Sequence, residues 1–123
     1  MRPTEPPPPL DPLLARERFL TAVDEAGTRN PVPLAGDVHV AYALDVQRDF
    51  DGPASRTVGV EIVGTSISGD GDGEDKPSNR ATLTAADPHM RCYDGRRGYT
   101  TLTMDRRHAL AACRARAARA SGP

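Results

Sequence analysis

The sequence predicts an α/β fold, a mixed sheet preceded by one N-terminal helix, and it predicts that this fold is incomplete. Three observations carry that expectation: one segment with helical apolar spacing, three segments with strand alternation, and a short supply of core formers. Leu, Val, Ile and Phe total 21 of 123 residues, there is no Trp, and only five residues are aromatic. A share this low signals disorder only when net charge is large. Here 16 basic and 17 acidic residues leave a net charge of −1, so the chain reads as a marginal domain or a piece of a larger one.

Residues 1–11 form a Pro-rich tail. Five of the first ten residues are Pro, and a run such as Pro6-Pro7-Pro8-Pro9 lacks backbone donors and favours extended polyproline geometry. Asp11-Pro12 is a helix start, since the carboxylate can accept from orphan N–H groups and proline suits the first helical position. Ala15, Phe19, Ala22, Val23 and Ala26 recur at helical spacing and Gly27 supplies a stop, which predicts a helix over 12–27.

From Val40 to Val46 the pattern alternates, with Val40, Tyr42, Leu44 and Val46 on one face. Asp51-Gly52-Pro53 interrupts it. Thr57 to Ile67 follows as a longer strand, apolar on both faces as in a buried sheet member, and the pair suggests a hairpin with a long loop. Ser68 to Asn79 is a Gly, Asp and Ser rich loop, Arg80 to Ala86 can form a short helix, and Arg97 to Met104 alternates as a third strand. Residues 106–123 are an Arg/Ala-rich tail with five Arg and no acid up to Arg119. A helix is conceivable there, although its periodicity is poor.

Several classes are excluded. No run of 18 apolar residues exists, so no membrane span is expected, and the proline-rich start cannot serve as the h-region of a signal peptide. Cys92 and Cys113 have no CxxC spacing, which indicates neither a disulfide framework nor a zinc site. Lys76 follows no Gly-rich phosphate loop. The chain as a whole is not basic and no aromatic interleaves with the terminal arginines, so no specific nucleic-acid partner is expected.

Gly36-Asp37-Val38-His39 is the strongest chemical candidate. Glycine permits a sharp turn at a strand end, and Asp37 and His39 offer one oxygen and one nitrogen donor, a mixed set that borderline metals accept. From spacing alone the same residues read first as a turn with Asp37 as a cap and His39 as an ordinary strand residue. Asp70 to Asp75 resembles a calcium loop but lacks Gly at the sixth position and Glu at the twelfth. Gly64-Thr65-Ser66-Ile67-Ser68 is similar to a nucleophile elbow without its last Gly, which keeps a serine hydrolase through Ser66 as a distant alternative. Arg96-Arg97-Gly98-Tyr99 places two guanidinium groups at a strand start, where they can fork onto phosphate or simply be solvated.

In order, NPVPLAGDVH (30–39), DFDGPAS (49–55), EIVGTSIS (61–68), the stretch 79–90 with its DPH, and RRGY (96–99) resemble the C-terminal part of the PhoD-like metallophosphoesterases, the alkaline phosphatase D family. The likeness runs over about residues 12–105. It implies a partial metallophosphatase-type sandwich, hydrolysis of phosphate monoesters and diesters, and a metal centre of iron with calcium. It makes His39 a metal ligand, Asp37 a ligand or an orienting group, and Arg97 and Tyr99 substrate-phosphate or site-shaping residues. The family is commonly exported, and its remaining ligands lie in a long region upstream of the helix. Pro33 departs from the family's β-branched residue in what the resemblance makes a central strand. The expectation is a fragment of a phosphoesterase, inactive alone. The competing expectation is a noncatalytic interaction module pairing or aggregating through exposed strand edges.

Overall fold

The computed structural model describes residues 11–52, 54–69, 71, 73 and 85–117. The fold is mixed α/β, with one helix, a four-stranded sheet and a two-stranded hairpin among the described residues, and no closed barrel. Most of the calcium-like segment, the 80–86 helix up to Thr84, the first ten residues of the Pro-rich tail and the end of the Arg/Ala tail lie outside the described residues.

Helix α1 spans Pro12–Glu25, with Asp11 as N-cap accepting from Leu13 N at 2.9 Å and Gly27 following in a left-handed conformation (φ 63°). Its docked face is not the expected apolar stripe. Leu20 is the buried residue, at 2% exposure, whereas Phe19 is 47% exposed. The reason is charge: Glu17, Leu20, Thr21 and Asp24 share one face at i, i+3, i+4 and i+7. Arg48 reaches Glu17 at 2.8 Å and Thr21 at 3.3 Å, and Arg56 pairs with Asp24. Two arginines at the ends of adjacent strands thus select the face.

Strand β1 is Leu34–Ala35, β2 is Ala41–Gln47, β3 is Thr57–Val63 and β4 is Met90–Asp94, in the order β1-β3-β2-β4. β2 and β3 form the expected antiparallel hairpin, Tyr42 opposite Val63 and Val46 opposite Gly59, with an irregularity at Val46/Gln47. The long connection closes on itself, since Asp49 N donates to Ser55 Oγ at 2.8 Å and Arg48 N to Arg56 O at 3.1 Å.

Two expectations need correction. β3 stops at Val63, and Val60 and Ile67 are 39% and 58% exposed, so the 57–67 strand is shorter and less enclosed than its apolar composition implied. Among the described residues β1 lies at the sheet edge, parallel to β3. Pro33 therefore removes no ladder donor from a central position; its carbonyl instead accepts from Ile62 N at 3.0 Å.

Strand β5, Gly98–Met104, matches the third expected strand. Its partner β6, Ala109–Ala115, overturns the helical reading of the Arg/Ala segment. Alanine favours helix weakly and locally, but β5 offers a ladder of donors and acceptors along seven residues, and pairing wins. β4 also escaped sequence reading: it is an edge strand with Arg91 and Cys92 exposed and an irregular pairing to β2 between Ala43 and Leu44, so no clean alternation marks it.

The apolar core is small. Among the described residues, the buried hydrophobic side chains are Leu20, Ala41, Val46 and Val63. Around them the backbone packs tightly at Gly59, where an added Cβ would strike the carbonyl of Pro31 and come within 2.9 Å of its Cγ, while one at Gly36 would meet nothing within 4 Å. Gly59→Ala is expected to cost about 1–3 kcal/mol and Gly36→Ala less than about 0.5 kcal/mol, read from urea unfolding midpoints of the two variants. Equal midpoints would contradict the close Pro31 approach.

Candidate functional site

Three segments distant in sequence meet beyond the ends of β1 and β3. The first is the loop Gly36 to His39, between β1 and β2. Its left-handed positions are Asp37 (φ 74°) and His39 (φ 61°), so the turn is made by the two residues with chemistry and not by Gly36. A non-glycine residue held there costs roughly 1 kcal/mol, though Asp and His tolerate it better than most. Asp37 and His39 are exposed, and Val38 between them is 55% exposed.

The second segment is Gly64 to Ser66, leaving β3, with Gly64 N donating to Ala35 O at 2.9 Å. Thr65 Oγ1 lies 3.1 Å from His39 O and 3.0 Å from Arg96 O, so its hydroxyl proton serves both. The third is the turn Asp94 to Gly98, which carries the chain from the sheet into the β5–β6 hairpin. Arg97 Nη1 donates to His39 O at 2.9 Å and to Ser66 Oγ at 3.1 Å, and Gly98 N donates to Ser66 O at 3.0 Å.

Of the residues singled out from sequence, Asp37, His39 and Arg97 are thus brought together, with Arg97 at the base of the loop. Tyr99 is placed apart from that network, 55% exposed on β5 opposite Arg114. Ser66 Oγ accepts from the Arg97 guanidinium. Thr65 and the Asp94 turn were not anticipated as site residues. A signal existed for the turn: Asp94-Gly95, just before the alternating run from Arg97, is a turn dipeptide.

Asp94 organises that turn. Its Oδ1 accepts from Arg96 N at 3.0 Å, and its two oxygens take the Arg96 fork at 3.0 and 2.8 Å. The Arg96 side-chain bonds hold the Asp94 carboxyl below its ordinary 3.8, against partial desolvation that pushes it upward.

Family comparison decides what this arrangement belongs to. The sequence model for PhoD-like phosphatases matches residues 12–113. The chain belongs to that family. Alkaline phosphatase D of Bacillus subtilis (strain 168) is 35% identical over 89 residues, which is 72% of this chain and 15% of the relative. A solved structure of PhoD superposes with a TM-score of 0.65 at 28% identity, covering 80% of this chain and 22% of that one. This PhoD-like chain therefore spans less than a quarter of either protein's length.

The family is metal-dependent. The described residues of this PhoD-like chain do not fit a complete centre: Asp37 and His39 are two donors, and no group of three or more His, Cys, Asp or Glu side chains converges among the described residues. Two monodentate donors leave most of the coordination sphere of any of the family's metals unfilled. No helix among the described residues is long and apolar enough to cross a membrane.

The Asp94 carboxylate yields a pH prediction. Because its folded-state pKa is lowered, its contribution is fully present above the ordinary carboxylate value and is lost as pH falls through the folded one. Asp94→Asn is expected to be less stable than the parent by about 0.5 kcal/mol at neutral pH, with the gap closing as the pH is taken below 3.8. A pH-independent gap in urea midpoints would contradict this.

Proposed function

We propose that the chain is a C-terminal piece of a PhoD-like metallophosphoesterase acting on phosphate esters, one that supplies part of a metal site and is inactive alone. The observation that carries this reading is the Gly36–His39 loop: two donor-bearing residues held exposed in a left-handed backbone, in a chain that belongs to a metal-dependent phosphatase family yet offers no third donor beside them among the described residues.

In this reading His39 is a metal ligand, through a neutral ring nitrogen, and Asp37 is either a ligand or a group that orients one. Arg97 shapes the site. Tyr99, exposed on β5 and apart from the Arg97 network, has a site-shaping role only through the resemblance. Iron and calcium are the metals expected from the resemblance, and the other ligands come from outside this chain. Residues 1–11 are then a tail, and the phosphatase portion starts at residue 12 and runs past 105 to take in β6.

A second reading rests on the hairpin. β5 and β6 pair with each other and with no third strand among the described residues. Two-stranded ribbons are marginal on their own, and open edges invite pairing with another chain. That supports an interaction module.

The two readings separate in one experiment. With iron and calcium supplied, the chain alone is expected to show no turnover of a chromogenic phosphate diester. Exchanged for the matching segment of Bacillus subtilis alkaline phosphatase D, it is expected to give an active chimera that His39→Ala lowers by at least about 100-fold, a larger loss than removal of an outer-shell partner causes. Turnover by the isolated chain that depends on His39 would overturn the inactivity. A chimera that folds but is inactive would favour the interaction module.

A further inference from the structure

We propose that Arg97, assisted by Thr65, is the positioning residue of the Gly36–His39 loop: its guanidinium holds the His39 carbonyl and thereby fixes the left-handed backbone that presents Asp37 and His39. This deepens the proposed function and rests on those two residues being the loop's working groups.

Among the described residues the loop has little else to keep it in place. The strand before it is two residues long, and residues 36–39 are exposed, so side-chain packing does not hold the strained conformation. Backbone strain of this kind persists only where surrounding contacts over-determine it. Those contacts converge on one atom. His39 O receives Arg97 Nη1 at 2.9 Å and lies 3.1 Å from Thr65 Oγ1. The same nitrogen reaches Ser66 Oγ at 3.1 Å, and Thr65 Oγ1 is 3.0 Å from Arg96 O. Segments 26 and 58 residues from His39 are thereby closed into one ring by a half-buried guanidinium and one hydroxyl.

The donor geometry separates two roles for Arg97. A phosphate-binding arginine turns its fork toward the ligand. Here Nη1 faces a carbonyl and a hydroxyl of the protein, and Nε lies 3.4 Å from Gly71 O. Arg97 therefore acts through His39.

Backbone relaxation of the labelled full chain, with no metal or substrate added, tests this. Order parameters at residues 37–39 are expected near 0.85 in the parent and below about 0.6 in Arg97→Ala, with the amides of β2 and β3 unshifted. Thr65→Val, which keeps the shape and loses the hydroxyl, is expected to loosen the same residues to a smaller extent. Unchanged order at 37–39 in Arg97→Ala, or lost dispersion of β2 and β3 amides in both variants, would overturn the proposal. In the active chimera, Arg97→Ala should lower kcat while leaving KM within about twofold; a raised KM at constant kcat is the signature of a phosphate-binding arginine and would also overturn it. An inactive chimera counts against the phosphatase reading and leaves the loop measurement standing.

Discussion

The antiparallel ladder between β2 and β3 is the constraint on which the rest of the fold depends. β1 attaches to the outer side of β3 and β4 to the outer side of β2. Arg48 and Arg56, at the two ends of the β2–β3 connection, bind the acidic face of α1 and bring Leu20 down onto the sheet. Phe50 in the same connection lies under the Arg16 guanidinium, 4.5 Å from ring centre to Cζ, and meets the His89 ring edge-on at 5.3 Å. One hairpin thus gathers the helix and the turn before β4. With so few buried apolar side chains, polar clasps do much of the positioning that a larger core does in an ordinary domain of this length.

The same ladder sets the site. Its open end releases Gly64 to Ser66 beside the loop that leaves β1, and the Asp94 turn delivers Arg97 between them. The loop is strained and exposed, the turn is held by the Asp94–Arg96 bonds, and the segments are linked by the Arg97 guanidinium, the Thr65 hydroxyl and the Gly98 N–H. Such a site is well placed when its surroundings enforce it. The chain covers 15% of one relative and 22% of another, and the phosphatase account assigns the missing donors to the remainder of those longer architectures.

Much of this was legible in the sequence, and the exceptions have physical causes. The α1 boundaries followed from Asp11-Pro12 and Gly27, β2 and β5 from alternation, the existence of β3 from its apolar run, and family membership from the order of five short motifs. The docked face of α1 was misread because three of its four members are polar and earn their place through Arg48 and Arg56, partners far away in sequence. β6 was missed because alanine carries little strand signal until β5 lies beside it. In the site, Asp37 and His39 were identifiable as residue types at close spacing. That they, and not Gly36, take the left-handed conformations was not, because the hydrogen bonds that enforce it come from Thr65 and Arg97. The roles of Asp37 and His39 as ligands stay with the proposal.

Metal content tests the central claim, that this chain carries only part of a phosphatase centre, most directly. The purified chain is dialysed against iron and calcium and then against metal-free buffer, and retained metal is measured per chain. Two exposed donors predict retention well below one ion per chain, unchanged within error in His39→Ala. One tightly held ion per chain, lost in His39→Ala, would show a complete site and contradict the account.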